Sequence, residues 1–209
     1  MYTDYQHNNV KDGEINTKFM LEVLRVTNIF ENMADFIKTT VDGEAKPPLH
    51  IGEAYGCWLY TSTLHEEIPT LDIALNTTRD KDLTELIQES KKLGQSQLKQ
   101  LEEFMVNAGI PLGITSETKP KSNSGDIPPG VMMSDYEIAN YLSIKITANT
   151  LMCTTNMNQA IRADMGGLWL KLFGEKAQFG FKVKTVMRKR GWVKIPPSYL
   201  PSGVTPKNN

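Results

Sequence analysis

Residues 110–133 read IPLGITSETKPKSNSGDIPPGVMM, and the fold turns on how they are read. Proline, glycine, serine and lysine recur through the segment with no helical period. Loops of that length without structure are uncommon in compact domains. Extended at ~3.3 Å per residue, the segment can travel the whole length of a helix of about 25 residues rising ~1.5 Å each. It therefore reads as a crossover between two helical units, and not as a tight turn.

The flanks fit that reading. Before the crossover, an apolar stripe of Ile51, Ala54, Trp58, Thr61, Leu64, Ile68, Leu71 and Leu75 predicts a helix over 51–77. Asn76-Thr77-Thr78-Arg79-Asp80 is a turn. A helix over 81–107 follows, with Leu83, Ile87, Leu98, Leu101, Met105 and Ala108 on its buried side. Gly109 falls just past its end, where a left-handed residue closes a helix. After the crossover, Ser134-Asp135-Tyr136-Glu137 is a capping-box pattern that opens a helix over 135–163. Met165-Gly166-Gly167 reads as the next turn. A last helix over 168–189 carries Leu168, Leu172, Phe179, Val183 and Val186, and is weakened by Gly174 and Gly180. Two helical hairpins joined by a long crossover describe an all-α, ferritin-like four-helix bundle.

An extra N-terminal helix is expected ahead of the bundle. Phe19, Val23, Val26, Phe30, Met33 and Ile37 alternate steps of four and three on one stripe, with Lys18, Arg25, Glu31 and Asp35 off it. Gly43 and Pro47-Pro48 end it. The chain thus divides into a tail and amphipathic helix (1–48), the bundle (49–192, crossover 110–133) and an extended proline-rich tail (193–209). The N-terminal stripe either covers the bundle or pairs with another copy, so a homo-oligomer is expected.

Composition narrows the function classes. The 209 residues suffice for one sizeable core. A net charge of −1 gives no global pull toward nucleic acid or a membrane surface. No run approaches the ~20 apolar residues that span a bilayer, and the polar N-terminus has no apolar signal core. Cys57 and Cys153, without a CxxC, argue against a disulfide framework and are expected as free buried thiols. The expected setting is the cytoplasm.

Three short stretches carry a resemblance. Glu53-Ala54-Tyr55-Gly56-Cys57-Trp58 opens one helix, GIPLG ends the first hairpin, and MRKRGWVKIPPSY ends the second. Over about residues 49–200 the chain resembles an uncharacterised family of ferritin-like bundles from Bacillus-type bacteria, akin to the spore coat protein F group. The resemblance implies an all-helical bundle, a spore association and spore coat proteins as partners. It implies no catalytic residues.

Leu64-His65-Glu66-Glu67-Ile68-Pro69 is the sharpest candidate for a site. A ferritin-like di-iron centre needs a carboxylate from each of two helices and a Glu-x-x-His from each of the other two. The corresponding levels read Gly94-Gln95-Ser96-Gln97 and Glu175-Lys176-Ala177-Gln178, without imidazole, and no acid occurs from Ile138 to Ala163. The residues therefore argue against a metal pair. They leave His65 at the edge of the core and Glu66 and Glu67 turned outward, with a kink expected at Pro69. The polar cluster Thr147, Asn149, Thr150, Thr154, Thr155, Asn156 and Asn158 must place some members inside the bundle, opposite Ser90, Gly94 and Gln97, as a hydrogen-bonded layer. Lys182, Lys184, Arg188, Lys189, Arg190 and Lys194 make a basic end to the last helix, complementing its dipole or docking on an acidic protein surface. The expectation is a non-enzymatic structural or interaction protein with no cofactor, no bound metal, no nucleic acid and no membrane. The alternatives are a divergent metal-binding oxidoreductase and a bundle that binds a small molecule near Asn149 and Gln97.

Overall fold

The computed structural model describes residues 46–197 and Tyr199. The expected N-terminal helix and the end of the C-terminal tail lie outside the described residues. Four long helices account for most of what is described: α1 (Ile51–Thr77), α2 (Lys81–Asn107), α3 (Asp135–Gln159) and α4 (Ala163–Arg190), with two short 3-10 turns in the crossover. No strand is present among the described residues.

Contacts at the helix ends fix the directions. His50 Nε2 lies 3.2 Å from the carbonyl of Gln159, so the start of α1 meets the end of α3. Thr78 Oγ1 donates to Asp135 Oδ1 over 2.6 Å, joining the end of α1 to the start of α3. Arg190 Nη2 reaches Asp82 over 2.9 Å, joining the end of α4 to the start of α2. Hence α1 and α4 run one way, and α2 and α3 the other. The crossover climbs beside α1 as its length predicted. Ser116 Oγ donates to Glu66 Oε1 (2.6 Å), the Lys119 amide to Asp72 Oδ2 (3.3 Å) and Asn76 Nδ2 to the Pro120 carbonyl (2.9 Å). An irregular strand of chain has few backbone partners of its own, and these side chains of α1 supply them.

The two hairpins are built alike. α1 and α3 each open on a capping box. Ser134 Oγ accepts from the Glu137 amide while the Glu137 carboxylate accepts from the Ser134 amide. In α1 a histidine does the serine's work: His50 Nδ1 accepts from the Gly52 amide (3.0 Å), and the His50 amide donates to Glu53 (3.1 Å). Each hairpin ends on a left-handed glycine, Gly109 (φ 73°) or Gly191 (φ 71°). Beyond each, an amide closes back on the helix, Ile110 on the Met105 carbonyl and Trp192 on the Met187 carbonyl, both over 2.8 Å.

The structure corrects two boundaries. α3 ends at Gln159 and α4 begins at Ala163, so Ala160–Arg162 make the turn and Met165-Gly166-Gly167 lie inside the last helix. The cause is Glu53: its Oε1 accepts from the Ile161 (2.9 Å) and Arg162 (3.0 Å) amides, pinning the turn earlier than its glycines suggest. α4 also runs unbroken through Gly174 and Gly180. At Gly180 an added Cβ would stand 3.1 Å from Ile146 Cγ2, so this glycine permits close approach of α3 and α4.

Candidate functional site

The core line of α1 is Glu53, Cys57, Tyr60, Leu64, Glu67, Leu71 and Ala74, all buried. The steps alternate four and three, which keeps one seam facing three neighbouring helices. Two of the seven are acids. The stripe drawn through apolar residues alone ran about a residue out of phase: Ile51 is 89% exposed and Trp58 is exposed. The reading of Glu67 as outward is overturned, since its residue stands at 2% exposure. Position 67 lies three residues from Leu64 and four from Leu71, so it cannot turn outward while both point in.

Each part of LHEEIP therefore meets something different. His65 Nε2 lies 3.1 Å from Glu102 Oε1 of α2, buried on the histidine side. Exposed Glu66 takes the hydroxyl of Ser116 in the crossover. Glu67 enters the centre of the bundle, where Asn149 Nδ2 of α3 donates to its Oε2 over 2.8 Å and Lys176 Nζ of α4 stands 3.7 Å from its Oε1. Lys176 is 1% exposed, the least expected residue in the core. Burial pushes its ammonium below the ordinary lysine range, and the nearby Glu67 carboxylate opposes that shift.

Two turns toward α1's start, at Tyr60, a second set of bonds spans the bundle. Tyr60 OH donates to Gln97 Oε1 (2.8 Å), and Gln97 Nε2 donates to the Leu172 carbonyl (3.1 Å) and to Glu175 Oε2 (2.8 Å). Tyr60 also meets the edge of Trp169, centroids 5.4 Å apart. Gln97 thus joins α1 and α4, and not the polar cluster of α3. Of that cluster only Asn149 is fully inside. The hydroxyls of Thr147, Thr150 and Thr154 bond to carbonyls of their own helix. Asn149 Oδ1 and Ser90 Oγ are buried without a hydrogen-bond partner.

The polar layer divides the interior in two. On one side pack Leu71, Ala74, Leu83, Ile87, Ile138, Leu142, Phe179, Val183 and Met187. On the other pack Cys57, Tyr60, Leu64, Leu101, Met105, Cys153, Met165, Trp169 and Leu172. The two thiols sit in this second cluster, free and buried. Burial, aided by the charge of Glu53, pushes Cys57 up to about 12. Burial likewise pushes Cys153 up to about 11. A thiol so protonated is a poor nucleophile.

These donors do not fit a pair of metal ions. At mid-height the four helices offer two carboxylates, two amides and an ammonium; the ammonium and the Asn149 amide face Glu67, and the Gln97 amide holds Glu175. Hard divalent cations need several oxygen anions converging. No group of three or more His, Cys, Asp or Glu positioned to hold a metal occurs among the described residues. Asn149 and Gln97, expected to border a ligand cavity, are fully buried and bonded to protein groups. The basic end of α4 does meet an acidic surface, and it is this chain's own α2. Lys182 pairs with Glu89, Lys189 with Asp82 (3.5 Å), and Arg190 with Asp80 (3.0 Å) and Asp82 (2.9 Å). No helix among the described residues is long and apolar enough to cross a membrane.

Residues 37–203 match the family described as protein of unknown function DUF3231. The chain belongs to that family. It is 29% identical over 153 residues to the uncharacterised protein YvdQ of Bacillus subtilis (strain 168), covering 73% of this chain and 90% of YvdQ. The crystal structure of a candidate spore coat protein from Bacillus halodurans C-125 is similar with a TM-score of 0.72 and 31% identity, over 74% of this chain and 97% of that one. A DUF305 fragment from Deinococcus radiodurans shares the fold, with a TM-score of 0.53 and 14% identity, over 68% of this chain and 99% of that one. The resemblance drawn from three short motifs holds at this coarser level: an uncharacterised family with Bacillus relatives, one of them a candidate spore coat protein.

Proposed function

We propose that this DUF3231 chain is a non-enzymatic structural protein of the ferritin-like type, made in the cytoplasm and associated with the spore, where it assembles with itself and with coat proteins. The observation that carries the reading is the Glu67–Lys176–Asn149 layer. At the height where a bundle of this topology could hold reacting metals, the Glu67 carboxylate is spent on Lys176 and Asn149 and ties three helices together. Kinship with a candidate spore coat protein supports the setting. Support for self-assembly comes from exposed Ile144 and Leu151 on the outer side of α3, spaced seven residues apart on one helical face.

The test pairs location with chemistry. A fluorescent fusion of the full chain, produced in sporulating Bacillus cells, is expected to collect at the forespore surface and remain with purified spores. Light scattering on the purified protein is expected to report a mass above that of one chain. Diffuse fluorescence throughout sporulation would sink the spore assignment. Stoichiometric iron or manganese lost on Glu67→Ala would make the protein a metalloprotein instead.

A further inference from the structure

On α4 the core line is Met165, Trp169, Leu172, Lys176, Phe179, Val183 and Met187. Lys171, Glu175 and Lys182 reach α2 through Gln100, Gln97 and Glu89. Gly180 abuts Ile146 of α3. At about 100° per residue, positions 167, 170, 174 and 181 fall in the one sector left, which points away from the bundle. Between positions 167 and 181 that sector is occupied by Gly167, Leu170, Gly174 and Phe181, and Thr185 and Arg188 continue it toward the helix end. An outward leucine should be wet. Leu170 is only 5% exposed, and it stands in neither core cluster of the described residues. Gly167 is buried as well.

We propose that this outer face of α4 is the seat of the chain's own N-terminal segment, with the stripe Phe19, Val23, Val26, Phe30, Met33 and Ile37 laid along Gly167, Leu170, Gly174 and Phe181. Three observations point to that occupant. Lys46, where the described chain begins, pairs with Asp164 in the first turn of α4 over 3.2 Å, so the segment leaves from the end of this very face. The stripe from 19 to 37, if helical, is about 27 Å long, and the seat from 167 to 181 about 21 Å. Two glycines a heptad apart lower the surface of α4 so that large side chains can settle between them. The segment then acts as a fifth rod, running antiparallel to α4. The apolar stripe is spent within one chain, and self-assembly must use other surfaces.

Phe181 lies about 25 Å along α4 from Asp164; the same length back from Lys46, at ~3.3 Å per residue to Gly43 and ~1.5 Å beyond it, brings Met33 opposite Phe181, with Phe30 and Ile37 beside it. The experiment therefore uses full-length chains carrying Phe181→Cys with Phe30→Cys, Met33→Cys or Ile37→Cys. Phe181 is half exposed, so its replacement leaves the bundle intact, and circular dichroism checks this. The native thiols are buried and protonated. Controls carry Lys92→Cys, on the exposed side of α2, with the same segment cysteines. At micromolar protein under mild oxidation, at least one Phe181→Cys pair is expected to close within a single chain about tenfold faster than its control, because packing raises the effective concentration. Equal rates for all pairs would overturn the proposal. Disulfides joining two chains would overturn it too, by giving the seat to a second copy.

Discussion

Removing the charge of Lys176 alone should be far more damaging than removing both charges of the central pair. Lys176 Nζ and Glu67 Oε1 are 3.7 Å apart with both side chains almost fully buried. At an effective dielectric constant of about 20, unit charges at that distance attract by about 4.5 kcal/mol. Lys176→Met leaves the Glu67 carboxylate buried with only the Asn149 amide for company, and a cost of about 3–5 kcal/mol is expected. Glu67→Gln strands the ammonium, with a cost of the same order at pH 7. The double variant removes both desolvation penalties and should unfold within about 1 kcal/mol of the parent. Urea titration followed by circular dichroism measures all four proteins, with equal m-values confirming a common transition. The pH dependence carries a sign. Burial holds the Lys176 proton less tightly in the folded chain than in the unfolded one. Between the lowered folded pKa and the ordinary lysine value of 10.5, raising the pH therefore favours the folded state through this group. In Glu67→Gln that window should extend further down. Single variants that each cost under about 1 kcal/mol, or costs that simply add in the double variant, would refute a desolvated coupled pair.

Three further outcomes are expected. Burial raises the Glu53 carboxyl, but hydrogen bonds from the Arg162, His50 and Ile161 amides outweigh it and leave its pKa lowered. Glu53→Gln should therefore cost about 1.5–3 kcal/mol at neutral pH. The gap should close as acid takes the parent's own stabilisation away, below the ordinary carboxylate range, in urea titrations across pH. Cys57 and Cys153 should resist a thiol-reactive disulfide reagent at pH 8 and label only as fast as the protein opens, which absorbance kinetics with and without urea would show. Gly109→Ala and Gly191→Ala should each lower stability by about 1 kcal/mol, since both glycines hold positive φ, and thermal melts measure the loss.

Much of the architecture was legible in the sequence. The turn at Asn76–Asp80 and the closing Gly109 placed α1 and α2, because local punctuation of that kind needs no tertiary partner. The crossover's direction followed from length alone. The turn after α3 did not, because it is set by a carboxylate far away in the chain, Glu53, and no local signal announces it. The central layer was half legible. The polar cluster of α3 was read as placing some members inside, opposite Gln97, without singling out Asn149 as the interior one. Glu67 and Lys176 were missed because an apolar-only stripe discards charged residues, although the four-three steps through Cys57, Tyr60, Leu64, Leu71 and Ala74 leave Glu67 no other place. Lys176 falls the same way between Leu172 and Phe179.

The layer also sets how the two hairpins find each other. Purely oily seams would tolerate sliding by a heptad with little penalty, because one leucine greets another much like the next. A slide of that size would carry Lys176 past Glu67 to face Tyr60 or Ala74, leaving a cation and an anion stranded in grease. The hairpins are keyed like a lock and its single cut, so that of several oily fits only one seats fully.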